Sequence, residues 1–374
     1  MAEGLLATIV AAKRAELRER FDGIAIDALR ARTARSNHSL ASAVAKPGAR
    51  FILEIKKASP SLGAIRPAAD VAALATGYAP IADTLSVLTD SPFFGGSIDD
   101  LRSARAHFPG PILAKDFFID PRQVAEARIA GADAILVMLS VLDDEEARAI
   151  VAEANLLGMD ALVEVHQEAE MRRALALGAP LIGINNRDLR DLTIDLATTE
   201  RLAPLAGGRL LVSESGIAGR GDVDRLANHV DGFLVGSALM RSLDPPQAAR
   251  ELVFGRVKLC GLNQPQDVAA GAAACFAGFV FVPDSPRFLT SAAAAPLVDQ
   301  ARALGMAPVG VFRDSPPASV AATAARLNLP AVQLHGRENE DDIAALRAAL
   351  RPDTEIWKAA SVGRDSLDPR GADR

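Results

Sequence analysis

Lysines and glutamates recur in this chain where short apolar runs end. Residues 51–63 read FILEIKKASPSLG, with Glu54 and Lys56 two positions apart. In an extended segment that spacing puts both side chains on one face. A carboxylate and an ammonium turned together into a core are costly to desolvate, which implies a use for them. Lys115 and Asp116 end ILAKD, Glu164 lies in ALVEV, Asn185, Asn186, Arg187 and Asp188 close LIGINNRD, and Ser213, Glu214, Ser215 and Gly216 close LLVSESG. A buried lysine, its pKa depressed by desolvation, serves as a general acid or as a Schiff-base nucleophile, and a glutamate beside it acts as base or holds its charge. Ser215 and Gly216, with Gly236 and Ser237, point to a second chemistry. Small residues there free backbone N–H groups to cradle a phosphate, helped by the start of a following helix. Singly, each feature has a plain alternative: a surface lysine pair at Lys56 and Lys57, a rim salt bridge, an ordinary turn glycine. Their recurrence at the same end of successive runs argues for one site.

The runs that must position these groups are FILEI (51–55), LSVLT (85–89), PILAK (111–115), AILVM (134–138), ALVEV (161–165), LIGIN (181–185), LLVSE (210–214) and GFLVG (232–236), about 25 residues apart. Short Val/Ile/Leu runs are the mark of buried parallel strands. The segments between them, such as 121–130 and 143–157, have helical spacing and polar faces. Eight strands alternating with helices predict a closed (β/α)8 barrel, a TIM barrel in the α/β class, whose C-terminal rim carries the chemistry. Residues 241–256 contain Asp-Pro-Pro and then a helical stretch to Gly255, read as the last barrel helix and a short linker. The rhythm then restarts with VKLCG (257–261), GFVFV (278–282), PVGVF (308–312), AVQLH (331–335) and IWKA (356–359), followed by a polar tail to Asp373 and Arg374. The expected domains are a complete barrel over 1–254 and a partial β/α barrel of about five strands over 255–374.

Length and composition agree. A chain of 374 residues suggests about two domains, and 49% hydrophobic against 24% charged residues allows a sizeable core. Aromatics are 4%, so the cores must be built from Ala, Val, Leu and Ile. The net charge of −6 and the lack of a long Lys/Arg block argue against nucleic acid or an anionic membrane as partner. Two cysteines, Cys260 and Cys275, are no disulfide framework and fit a reducing cytoplasm. The first twenty residues carry Glu3 and later charges, which makes an amphipathic helix rather than a signal peptide. The histidines lack metal-ligand spacing, and His166 is read as capping the helix that follows it.

FILEIKKASPS, ILAKDFFIDP, MLSVLDDEE, GINNRDL, VSESGI and GFLVGSALM occur in that order and together closely resemble indole-3-glycerol-phosphate synthase, from the N-terminal helix to about residue 254. The resemblance implies a carboxy-lyase of tryptophan biosynthesis. It would close the pyrrole ring of 1-(2-carboxyphenylamino)-1-deoxyribulose 5-phosphate with loss of CO2 and water, using no metal or organic cofactor. It also implies roles. Lys115 would be the general acid at the substrate carbonyl, and Glu164 and Glu54 the carboxylates of ring closure and dehydration. Lys56 would contact the substrate carboxylate or phosphate and share the acid role. Asn185 and Glu214 would bond substrate hydroxyls, with Ser59, Arg187, Ser215, Gly216, Gly236 and Ser237 around the anthranilate carboxylate and the phosphate. The N-terminal helix would cover the barrel mouth.

VKLCGL, FVFVPDSPRFL, PVGVF and VQLHGRE are similar to phosphoribosylanthranilate isomerase. That likeness makes Cys260 the general base of an Amadori rearrangement and Arg287 the ligand of the anthranilate carboxylate. The family's general acid and phosphate loops would fall beyond Arg374. The expectation is therefore a barrel cut short, without appreciable isomerase activity. Two other readings stay open at this level: a Schiff-base aldolase on the same fold, and a non-catalytic phosphosugar-binding scaffold. The partner called for is a small sugar phosphate, and the chain is compatible with a monomer.

Overall fold

The computed structural model describes residues 2–188, 191–359 and 372–373. It divides into two compact units, Met1–Ala249 and Arg250–Arg374. Most of the polar tail after residue 359 lies outside the described residues.

In the first unit eight parallel strands close into a barrel: β1 (Arg50–Ile55), β2 (Thr84–Leu88), β3 (Ile112–Lys115), β4 (Ala134–Met138), β5 (Asp160–Val165), β6 (Leu181–Asn185), β7 (Leu210–Glu214) and β8 (Gly232–Val235). Each pairs with its sequence neighbours, and β1 closes on β8 with Arg50 opposite Gly232 and Phe51 opposite Phe233. Side-chain alternation sorts the strands. Ile52, Leu113, Leu136, Leu162, Leu181, Val212 and Leu234 interdigitate in the lumen, while alternate residues such as Phe51 and Leu53 are buried under the helix layer. The short helix Leu40–Val44 joins the lumen cluster through Leu40 and Val44. Because Glu54 shares the parity of Ile52, and Lys115 that of Leu113, the charged groups at the strand ends inherit an inward direction from the apolar residues below them.

Capping fixes where helices begin. Asp120 and Gln123 form a capping box before the helix Pro121–Ile129, with Pro121 at its first position. Asp143 and Glu146 do the same for Asp144–Leu156. Ahead of the barrel runs helix α1 (Ala2–Arg20).

The second unit is a five-stranded parallel sheet in sequential order: β9 (Lys258–Cys260), β10 (Phe276–Val280), β11 (Ala307–Phe312), β12 (Ala331–Leu334) and β13 (Glu355–Lys358). Ala277, Phe279, Phe312, Val332, Leu334 and Ile356 pack against helices on one face. Phe276, Val309, Ala331 and Trp357 cluster together, with the Phe276 and Trp357 rings edge to face at 5.0 Å. Strand β10 starts two residues before the run expected at 278–282. Among the described residues no helix is long and apolar enough to cross a membrane.

Candidate active site

At the C-terminal end of the barrel lies a cavity of about 650 Å3. Its wall includes Glu54, Lys56, Ser59, Lys115, Glu164, Asn185, Arg187, Ser215, Gly216, Gly236 and Ser237. Thus eleven of the twelve barrel residues singled out in the sequence meet around one space. The twelfth, Glu214, is wholly buried and is not on the wall. It sits behind Lys115, whose Nζ donates to Glu214 Oε2 at 2.7 Å.

Lys115 is the hub. Its Nζ also lies 3.3 Å from Glu54 Oε2, and Glu54 Oε1 holds Lys56 Nζ at 2.7 Å. Burial by itself would push Glu54 up, but Lys56 and Lys115 outweigh it and hold the carboxyl at about 2. Burial pushes Glu214 up to about 7, and the negative charges of Glu164 and Glu54 add to this against the pull of Lys115. The lysine departs from the expectation of a depressed pKa. Burial does favour its neutral amine, but Glu214, Glu54 and Glu164 together raise it above the ordinary lysine value. A burial argument made from the sequence sees the desolvation and not the three carboxylates that the closed barrel brings to one amine.

Glycine is required where the site is tightest. A Cβ at Gly236 would stand 2.3 Å from Glu54 Oε1, so β8 can pass Glu54 only without a side chain there. Gly216 has φ +85°, and a Cβ on it would meet Ile194 Cγ2 at 2.5 Å. On the β6 side, Asn185 Oδ1 accepts the Arg187 backbone N–H at 3.0 Å, and Arg187 Nη1 donates to the Leu192 carbonyl at 2.9 Å. Burial pushes the Arg187 guanidinium down. Asn186 knits the ends of β6 and β7 together by donating to Ser213 Oγ and to the carbonyls of Glu214 and Ser215.

Several groups escaped the sequence reading. Lys13 of α1 is 2% exposed and binds Asp90 and Asp116 at 3.0 and 2.9 Å. Burial opposes its charge, but Asp116 and Asp90 raise it above the usual lysine value. Asp116 also accepts Thr89 Oγ1–H, and Asp90 caps the helix Ser91–Phe94. Lys13 therefore ties α1 to the segments after β2 and β3, and Leu6 and Ile9 of the same helix join the cavity wall. Helical spacing puts Lys13 one turn from Ile9, the only signal available. His166 is not a helix cap: the position before the helix Glu168–Ala176 belongs to Gln167. Its ring lies instead between Glu164 and Glu170.

In the second unit, Cys260 ends β9 and is exposed. The Arg287 Nη1 donates to the Cys260 carbonyl at 3.1 Å.

A closed β/α barrel whose rim gathers lysines against buried carboxylates, beside glycine-lined strand ends, defines an acid/base enzyme acting on a small anionic substrate. The family model Indole-3-glycerol phosphate synthase matches residues 6–252. A second, N-(5'phosphoribosyl)anthranilate (PRA) isomerase, matches residues 257–371. Curated relatives include Tryptophan biosynthesis protein TrpCF of Salmonella typhi, 49% identical over 324 residues, or 84% of this chain and 70% of the relative. The proteins of the same name from Yersinia pestis and Vibrio cholerae are 47% and 46% identical, covering 86% and 88% of this chain and 67% and 70% of their own lengths. The chain belongs to the indole-3-glycerol phosphate synthase family. Its first unit carries that carboxy-lyase activity, and an isomerase-family domain is fused behind it.

Proposed function

We propose that Lys115 is the acid that drives ring closure of 1-(2-carboxyphenylamino)-1-deoxyribulose 5-phosphate in tryptophan biosynthesis. The observation that carries this is its position at the cavity floor as a cation held among three buried carboxylates, Glu54, Glu164 and Glu214. As the carboxylate-bearing aromatic carbon attacks the ketone, the developing oxyanion takes a proton from Nζ. The new carbon–carbon bond leaves that ring carbon tetrahedral, and loss of CO2 returns the bonding electrons to the ring. Loss of the former ketone oxygen as water, with removal of a proton from the adjacent carbon, completes the indole. Glu164, on the wall across from Lys56, takes that proton, and Lys56 serves the leaving hydroxyl while Glu54 fixes both lysines. Glu214 acts through Lys115, since it lies behind the amine and can hold a proton near neutral pH. Asn185 bonds a substrate hydroxyl. Arg187 and Ser59 receive the anthranilate carboxylate, and Ser215, Gly216, Gly236 and Ser237 receive the phosphate. The raised lysine counts against a Schiff-base aldolase, which needs a neutral amine.

Fluorescence detection of indoleglycerol phosphate, comparing the parent chain with Lys115→Met and Glu164→Gln, tests the assignment. Wild-type turnover in both variants would show that the site has been misplaced. For the second unit, the nearness of Arg287 to Cys260 supports roles as carboxylate ligand and general base. Phosphoribosylanthranilate turnover by the parent chain would overturn the expectation of negligible isomerase activity, and turnover that then survives unchanged in Cys260→Ser would refute the base role as well.

A further inference from the structure

We propose that His166, held by Glu170, is a positioning residue for Glu164: it supplies the fixed positive partner that orients this carboxylate and keeps it ionised for proton removal. The inference rests on the reading of Glu164 as the base.

Three groups lie in a row from the helix layer to the cavity. Glu170, in the first turn of the helix Glu168–Ala176, is 6% exposed. Its Oε2 accepts the His166 backbone N–H at 2.7 Å and faces the ring Nδ1 at 3.1 Å. Gln167 Nε2 donates to its other oxygen at 3.4 Å. The opposite ring nitrogen, Nε2, lies 3.3 Å from Glu164 Oε1. Both of these atoms are buried, and neither makes a hydrogen bond. Two buried polar atoms without other partners thus face each other just beyond hydrogen-bond geometry, a spacing that commonly tightens when substrate fills a site. A carboxylate behind an imidazole that in turn holds a reacting group fixes the ring's orientation and its proton, whatever the fold.

The surrounding charges favour the imidazolium. His166, just past the end of β5, is faced by Glu164 of that strand and by Glu170 of the next helix, and Glu164 is itself faced by Lys115 of β3, Asn185 of β6 and the carboxyl of Glu214 of β7. Burial opposes charge on the ring, but the two carboxylates prevail and push His166 up to about 10. Burial likewise opposes charge on Glu164, and His166, then Lys115 and Asn185, bring it below its ordinary value. Lys115 bonds Glu214 and Glu54 directly, whereas His166 is the cation whose ring nitrogen faces Glu164 Oε1, its other nitrogen facing Glu170.

The sign follows. Without the imidazolium, Glu164 binds its proton more tightly, and the acidic limb of the kcat–pH profile moves to higher pH. The test is kcat and KM against pH for the full chain and for His166→Gln, Glu170→Gln and Glu164→Gln, with circular dichroism to confirm folding. A nearby opposite charge lowers a carboxyl by about 1–3 units. The expected result is therefore an acidic limb at least about one pH unit higher in His166→Gln, with little change in KM, and a smaller move in the same direction in Glu170→Gln. A role confined to folding would lower stability without moving the limb. Folded His166→Gln and Glu170→Gln proteins with the wild-type limb overturn the proposal. If neither folds, an NMR titration of the wild-type His166 ring decides it: a neutral ring at about pH 7.5, where a free imidazole of pKa ~6.5 is also neutral, overturns it, and a doubly protonated ring supports it. Glu164→Gln separates the two layers. Undiminished turnover there removes the base reading and this proposal with it, whereas lost turnover beside an unmoved limb removes the positioning role alone.

Discussion

Replacing Lys115 by methionine should damage turnover and stability together, and the stability loss should depend on pH. Nζ is 2.7 Å from Glu214 Oε2 and 3.3 Å from Glu54 Oε2. At an effective dielectric of ~20, these pairs are worth about 6 and about 5 kcal/mol of gross attraction. Most of that offsets the cost of burying the ammonium, and breaking a buried pair from one side typically costs ~3–5 kcal/mol. Turnover should fall by ~10²–10⁴, the usual contribution of a positioned acid. The pH dependence has a definite sign. Glu214 is already raised to about 7, so its contribution to stability is present at low pH and is lost as pH rises through that value. Removing the ammonium raises Glu214 further and takes from Glu54 the weaker of the two lysines that hold it low, leaving Lys56 at 2.7 Å. In the variant Glu214 therefore holds its proton to higher pH while Lys56 keeps Glu54 paired, and the penalty should be largest above about pH 7 and shrink toward pH 5. Urea unfolding followed at Tyr78, the chain's single tyrosine, which is buried in the first unit, reports on the barrel; tryptophan emission would report Trp357 of the second unit instead. Turnover within a factor of ~10 of wild type, or a stability loss that is the same at pH 5 and pH 8, would refute this account of the cluster.

Lys13→Met should leave Asp90 and Asp116 without their buried cation, costing ~3–5 kcal/mol and loosening α1; limited proteolysis near α1 and a raised KM are the expected readouts. Gly236→Ala places a Cβ 2.3 Å from Glu54 Oε1, so kcat should fall ~10²-fold with native circular dichroism, the scale of a 1 Å misplacement. Arg187→Ala removes a cation with a charge-assisted bond worth about 1.5–3 kcal/mol to a bound anion, and KM should rise roughly 10- to 150-fold with a smaller change in kcat.

Much of this protein is legible in its sequence. The eight apolar runs fall within a residue or two of β1 to β8, because a strand buried on both faces must be short, continuous and apolar. Glu54, Lys56, Lys115, Glu164 and Asn185 could be assigned to one rim because strands in such a barrel are parallel, so the ends of successive runs must lie together. Where the signal was uniform, the reading slipped. Residues 274–282 are all small or apolar, so composition could not mark where β10 begins. Pairing of Phe276 with Lys258 on one side and Ala307 on the other decides it.

Tertiary structure decided what each charged group does. Sequence order put Glu214 on the rim but could not show that it lies behind Lys115 rather than on the cavity wall. Burial of a lysine is legible in an apolar run, yet the sign of its pKa shift depends on carboxylates from β1, β5 and β7 that meet only when the barrel closes. Lys13 and Asp116 are about a hundred positions apart, and His166 meets Glu170 by a turn of backbone after β5. Local chemistry and periodicity are short-ranged and are written in neighbouring residues. Electrostatic pairing acts through space over a few ångströms, so only the closed fold determines which charges are partners and which groups stay charged.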